Sequence, residues 1–409
     1  MQNGGTGEYL EPPASLEELL TVATPELVRT RDRLAGAGAA DGVRATFDAV
    51  EEAVDALGRD PGLVLIFPTG VLDPREVSTQ AQEAAGKARV AGMTGTGAIT
   101  SSGAIETGCS AIAFDSALPI GVGIGTSTDP RAAGRSAAAE ALLGVDRSAG
   151  HAALLLFVDS ESGDQAEIVA GTYEIAGGHI PLAGGAAGGD VRAQFADGEH
   201  LSGSVVAVAL VSPTPIGVGI GHGCVPRGAP SIVTRADDKV VLQLDGRAAE
   251  TVYLEKLGMG DVPLSDADFE AIAMAHPLAQ PDLHGDVRPR YVRGRAPGGG
   301  LVCATSIEAN AAVDVCEQKP DETVRSAIGA VGRAVEQLAG PAEAVLLFDC
   351  AARSARFGNP LAAREVESII SSFGDPPPAL AGVYTRGEIG RVRGAKGDRN
   401  FSLVVVALG

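Results

Sequence analysis

Between residues 346 and 400 the chain carries the side chains best suited to chemistry: Cys350 and Arg353 in LLFDCAAR, Tyr384, Arg386 and Glu388 in AGVYTRGEIG, and Asn400. A cysteine becomes a nucleophile when a nearby cation or a helix amino end favours its thiolate, and Arg353 would supply that charge. Arginine's planar fork suits a carboxylate, so an arginine here could clamp an organic acid. A nucleophile also needs a base, and spacing alone places none of the six histidines beside Cys350. The plainer alternative is a buried arginine–glutamate pair that pins an interface, with Cys350 as an apolar filler. Two readings follow, a ligand-binding cluster and a cysteine-dependent enzyme acting through Cys350. Whether the protein is an enzyme stays open, with a non-catalytic role preferred.

Glycine supplies the next candidate. PIGVGIG occurs at residues 119–125 and again at 215–221. A dinucleotide fingerprint needs Gly-x-Gly-x-x-Gly, and Thr126 or His222 stands where its last glycine belongs. The alternation of isoleucine or valine with glycine suits a strand with one bare face, against which a helix or another backbone can approach. His222 and Cys224 follow the second copy directly, which makes His222 a weak candidate for a haem ligand; His276 and His284 are loop alternatives. No Gly-x-Ser-x-Gly elbow and no His-Glu-x-x-His helix is present, so no metal site is expected.

The elements that position these residues are repeated. Three apolar runs, LVLIFP (63–68), ALLLFV (153–158) and AVLLFD (344–349), read as buried strands, each preceded and followed by a helical stretch. Asp129 and Pro130 supply a cap and a first helical residue for one of these helices. A ten-residue pattern then recurs as VAGMTGTGAI (90–99), LAGGAAGGDV (182–191) and LAGVYTRGEI (380–389). Its ninth position is Ala98, Asp190 and Glu388 in turn, so charge enters in later copies. A further strand follows each pattern. The unit is helix, strand, helix, strand, strand, written three times, with PIGVGIG closing the first two and missing from the third. Such crossovers feeding hairpins predict an α/β (α+β) fold of mixed sheets covered by helices.

Three regions follow: an N-terminal helical appendage and linker at 1–42, a half built of two repeats at 43–224, and a half at 225–409 that joins a strand-rich insert to the third repeat. The appendage holds a capping-box spacing at Ser15 and Glu18, and Gly36–Gly42 reads as linker.

Composition excludes several partners. The formal charge of −20 repels nucleic acid and anionic lipid, and aromatics at 4% leave little for base stacking. No run approaches 18 apolar residues, and no signal peptide is visible, so a cytoplasmic protein is expected. The five cysteines form no Cys-x-x-Cys pair.

These motifs together resemble the FIST N and FIST C domains, over roughly residues 45–409. GGAAGGD, QLDGRAAETVY, LLFDCAAR, Glu365, AGVYTRGEIG and Asn400 carry the resemblance. It implies a sensory, small-ligand-binding protein in signal transduction; the arginine clamp suggests an amino acid or small carboxylate as ligand. No kinase, cyclase or chemoreceptor segment is visible, so output is expected through a separate partner protein, and self-association is left open. The resemblance also implies an alternative, a haem-based nitric oxide sensor; otherwise no cofactor is expected. Pockets favour domain interfaces, so the ligand is expected between the two halves. Gly184, Gly185 and Asp190 would there face Cys350, Arg353, Tyr384, Arg386, Glu388 and Asn400.

Overall fold

Each of the three apolar runs forms a central strand of its own mixed sheet. The computed structural model describes residues 33–409 except 149, 162, 261, 282–286, 393 and 395. The helices expected near residues 15–26, and His284, lie outside the described residues.

Unit one runs β1 (Ala35–Ala40), α1 (Ala45–Leu57), β2 (Pro61–Pro68), α2 (Pro74–Ala85), β3 (Arg89–Met93), β4 (Ala98–Thr100), β5 (Gly103–Ile105) and β6 (Cys109–Asp115). Unit two repeats it as β7 (Ile120–Gly125), α3 (Pro130–Leu142), β8 (His151–Asp159), α4 (Gln165–Ala176), β9 (Leu182–Ala187), β10 (Gln194–Ala196), β11 (Glu199–Leu201) and β12 (Val205–Ser212). Unit three opens with β13 (Gly217–Gly221). An insert then supplies β14 (Cys224–Pro226), β15 (Ser231–Asp237), β16 (Val240–Leu244), β17 (Arg247–Ala248), α5 (Ala249–Lys256) and α6 (Asp266–Ala275). It continues through β18 (Leu278–Pro281), β19 (Val287–Arg290), β20 (Val292–Ala296), β21 (Gly300–Cys303) and β22 (Ala312–Gln318). The third unit resumes as α7 (Pro320–Val335), β23 (Ala344–Cys350), α8 (Ala351–Phe357), α9 (Asn359–Ser371), β24 (Ala379–Thr385), β25 (Glu388–Arg391), β26 (Asp398–Arg399) and β27 (Leu403–Leu408).

Local chemistry sets the helix starts. Asp73, Asp129 and Asp164 each cap a helix by accepting from a backbone N–H two residues on, and Pro74 and Pro130 occupy first-turn positions where no N–H is needed. The insert forms a nine-stranded sheet of its own, and its apolar core packs Tyr253 and Phe269 among valines and leucines.

The three unit sheets share one strand order. They run β1-β6-β2-β3-β10-β11, β7-β12-β8-β9-β25-β26 and β13-β27-β23-β24-β4-β5. Only the β2–β3, β8–β9 and β23–β24 pairs are parallel within them. The last two strands of each sheet come from a different unit. Unit one gives its β4–β5 hairpin to the sheet of unit three, unit two gives β10–β11 to unit one, and unit three gives β25–β26 to unit two. The exchange closes a ring. At its centre Phe67, Phe157 and Phe348, one from each central strand, meet with ring centroids 5.8–6.2 Å apart. One apolar cluster around them draws on all three units.

PIGVGIG opens units rather than closing them, and it has a third copy. AGAGAA (35–40), read from sequence as linker, is the opening strand of unit one. A Cβ on Gly123 or Gly219 would fall well inside van der Waals contact of the Ala137 or Ala330 carbonyl of the covering helix, and Gly38 meets Ala49 in the same way. The bare face is therefore a seat for the next helix, not a phosphate loop. In unit three the insert separates this strand from its helix, α7, which hid the correspondence.

Candidate functional site

Where the ring, the insert and α8–α9 meet, they enclose a cavity of about 840 Å³. Unit one contributes Thr96, Gly97 and the β4–β5 hairpin through Ile105 and Glu106, and unit two contributes Ser160 and Glu161 from the loop after β8. Unit three supplies Cys350, Tyr384, Thr385, Arg386 and Asn400, and the insert adds Met274, Tyr291 and Arg293. Residues of both halves thus line it. Within the wall, the Thr96 N–H donates to the Tyr384 carbonyl at 3.0 Å and the Tyr384 N–H to the Gly97 carbonyl at 2.9 Å, so the borrowed hairpin fixes the Tyr384 backbone. Asn400 accepts from the Tyr291 N–H at 3.2 Å and donates to the Arg399 carbonyl at 2.8 Å. Phe401, next in the chain, sits at φ +51° with its ring edge-on to Tyr291 at 5.4 Å. Left-handed backbone is strained for such a side chain and concentrates at functional sites.

Arg353 and Glu388 lie behind this wall rather than on it. Arg353 is buried and forms an ion triad: Nε donates to Asp349 at 2.9 Å, Nη2 pairs with Glu365, and Nη1 reaches Ser326 at 3.4 Å. Burial pushes both acids' pKa values up, while the arginine between them pulls them back down. This is the structural ion cluster that the sequence offered as its plainer alternative. Glu388, also buried, accepts the Ser402 N–H at 3.0 Å. Its other oxygen lies 3.0 Å from Thr385 Oγ1, which is also 3.2 Å from the Asp349 carbonyl. A hydroxyl has one hydrogen. The shorter of the two contacts donates it to Glu388 and, with the Ser402 N–H, favours the carboxylate. Burial works against both and is the largest influence, pushing the Glu388 pKa up from 4.5 to about 8.

Cys350 is buried beside this group, and burial followed by the Glu388 charge pushes its thiol well above the usual range. Its amide donates to Asp349 at 2.8 Å. Arg353, expected to favour the thiolate, is instead neutralised by two carboxylates. The surroundings of Cys350 therefore hold a thiol, the reverse of nucleophile activation.

The second unit's loop is placed differently from its expected role. Strand register puts Gln194, not Asp190, at the position of Ala98 and Glu388: Ala98 pairs with Val383, Gln194 with Met93 and Glu388 with Gly185. Unit two carries four extra residues before its hairpin, and they displaced the sequence alignment. Asp190 is exposed and away from the cavity wall. Gly185 does face unit three, its open side filled by Thr385 and Gly387, whereas Gly184 packs against the Leu156 backbone; both act through close backbone approach. Gln194 echoes Glu388, accepting the Ser204 N–H at 3.4 Å. Its Nε2 has no partner, since Ala187 stands where unit three has Thr385.

Among the described residues no histidine lines the cavity. His222 lies elsewhere and accepts the Cys224 N–H on Nδ1 at 3.0 Å, and His276 Nδ1 sits 3.1 Å from the Cys316 carbonyl. The described lining of this cavity therefore offers no histidine to ligate a haem. Sequence reasoning missed Tyr291, Arg293 and Met274 because nothing local shows that the insert folds back over the third unit, and missed Thr96 and Glu106 because hairpin exchange has no local signature. No described helix is long and apolar enough to cross a membrane.

The structure is thus a triplicated α/β ring with a half-open cavity where it meets the insert. The sequence matches the FIST N domain over residues 62–247 and the FIST C domain over residues 249–391. The chain belongs to the FIST family, whose domains are associated with signal transduction. The boundary between the two matches falls inside the insert. An uncharacterized protein of Mycobacterium tuberculosis (strain ATCC 25618 / H37Rv) is 31% identical over 228 residues, 54% of this chain and 57% of that protein. One from Mycobacterium bovis is 33% identical over 233 residues, with the same coverage of 54% and 57%. The chain thus spans 57% of the length of these relatives. Among solved structures, a cyanuric acid hydrolase from A. caulinodans aligns with a TM-score of 0.26 at 13% identity, covering 44% of this chain and 71% of that one. A second cyanuric acid hydrolase structure aligns with a TM-score of 0.35 at 10% identity, over 92% and 98%. Scores this low carry no argument about this chain.

Proposed function

We propose that this protein is a cytoplasmic sensory module that binds a small organic carboxylate or amino acid in the cavity between its halves and passes the signal to a separate partner protein. The observation that carries this reading is the cavity of about 840 Å³, walled by both halves and by the insert, with Arg386 and Arg293 among its lining. Pockets of this size at a junction between structural parts are the usual seats of small ligands. Arginine at such a site recognises carboxylates by paired hydrogen bonds. A non-catalytic role is supported by the burial of Cys350, which raises its thiol and works against a nucleophile there. The reading calls for no cofactor.

A thermal-shift screen of amino acids and organic acids tests it, run on the protein and on Ala363→Trp, which fills the cavity from an exposed position on α9. At least one compound should stabilise the first and leave the second unmoved. A screen with no stabilising compound, or with equal shifts in both proteins, would overturn the proposal.

A further inference from the structure

The cavity wall sorts by unmet hydrogen-bonding capacity. Its buried polar side chains are already served: the Tyr384 hydroxyl meets Ser354, both ends of the Asn400 amide are engaged, and Thr385 spans Glu388 and a carbonyl. Around them Ile105, Met274, Ala351, Ala362 and Phe401 complete a largely apolar wall. A ligand group seated there is asked for shape and apolar contact, not for hydrogen bonds.

The rim is the opposite. Arg293 and Arg386 are exposed and come from different parts of the fold, the insert and the β24–β25 turn. Among the described residues neither makes a side-chain hydrogen bond or an ion pair. Each guanidinium carries five N–H donors. Two carboxylates share the rim: Glu106, which receives the Asn359 amide, and Glu161. They balance the formal charge, so the rim is no general anion trap. What its two arginines lack is an acceptor.

Size decides between candidates. A cavity of about 840 Å³ lies in the range that encloses drug-sized molecules. A free small amino acid would leave most of the apolar wall in water, a loss of about 25 cal/mol for each Å² left uncovered.

We infer that the ligand is an amphipathic organic acid, its carboxylate held at the rim by Arg293 and Arg386, and its aromatic or branched body packed on the wall of Ile105 and Met274. The inference rests on the cavity being the binding site, as proposed above.

Calorimetric titration of the full chain with 4-phenylbutyrate, 4-phenylbutan-1-ol, acetate and glycine tests it. The aryl acid should bind. The alcohol, and the acid with Arg293→Ala or Arg386→Ala, should bind about tenfold more weakly, each having lost a charge-assisted contact. Acetate and glycine should give no heat at the same concentrations. Ala363→Trp should abolish binding, and Ala355→Trp repeats the block from α8 should the first variant fold poorly. Acid and alcohol binding equally, glycine or acetate binding as well as the aryl acid, or none of the four binding would each overturn the inference. Loss in the tryptophan variants with no effect of either arginine overturns the ligand class and leaves the site standing. Binding that survives both tryptophans overturns the site itself.

Discussion

Glu388→Gln separates a buried neutral acid from an ordinary buried ion. Unit two already has glutamine at this position, with the same contact to a serine N–H, so the fold tolerates the substitution in a matching frame. The new amide would accept from Ser402 and donate to Thr385, which keeps both hydrogen bonds. The consequence is confined to proton linkage. A carboxyl whose folded pKa is raised binds its proton in the folded state while the unfolded chain has released it. Its stabilising effect is complete below about 4.5 and is lost as pH rises toward about 8. That displacement corresponds to an upper bound of about 5 kcal/mol across the interval, at about 1.36 kcal/mol per tenfold change in proton activity. The variant has no such loss. Urea unfolding followed by circular dichroism at intervals from pH 5 to pH 9 should therefore give nearly equal stabilities at pH 5. At pH 9 the variant should be more stable by several kcal/mol. Asp349 and Glu365 titrate in both proteins, so the difference between the two curves reports Glu388 together with its coupling to Asp349. A gap that stays constant from pH 5 to pH 9 would refute a Glu388 whose proton is held by burial.

Three further outcomes follow from the same frame. Arg353→Ala leaves Asp349 and Glu365 buried without their cation and should cost about 3–5 kcal/mol at pH 7, with the deficit widening toward pH 9; a loss below about 1 kcal/mol in denaturant unfolding would contradict the triad. Gly219→Ala drives a methyl into the Ala330 carbonyl of α7 and should destabilise by about 1–3 kcal/mol, whereas Gly332→Ala, on the same helix with nothing near its Cβ, should stabilise by roughly 0.5–1 kcal/mol. Iodoacetamide at pH 7.5 should leave Cys350 unmodified in the native protein and modify it after unfolding, by peptide mass spectrometry; rapid native labelling would restore the nucleophile reading.

The repeat was legible because buried strands between helices write themselves as short apolar runs, and three similar runs cannot hide. The Asp129 and Pro130 helix start was equally plain, being local chemistry. Strands made of alanine and glycine were not. AGAGAA has no β-branched side chain, and only contact with α1 shows why it is a strand. The candidate site was half legible: Cys350, Tyr384, Arg386 and Asn400 line the cavity, while Arg353 and Glu388 support it from behind. Nothing in a charged residue's identity says which side of a wall it occupies. Glu388 and Asp190 looked equivalent in a gapless alignment, and only strand pairing revealed the four-residue offset that makes Gln194 the true counterpart.

The ring of exchanged hairpins bears on how such a protein can change over generations. The sheet of unit two is completed by strands from beyond residue 387, and that of unit three by strands from before residue 106. Losing one unit would strip an edge from a second and leave a third hairpin without a host. The hairpin exchange thus ties together the two segments that the family divides near residue 248. Novelty has a freer outlet in the insert between β13 and α7, which belongs to none of the three sheets and yet supplies Tyr291 and Arg293 to the cavity. Relatives can diverge in what they bind by rewriting that one stretch, while the ring that holds it stays the same.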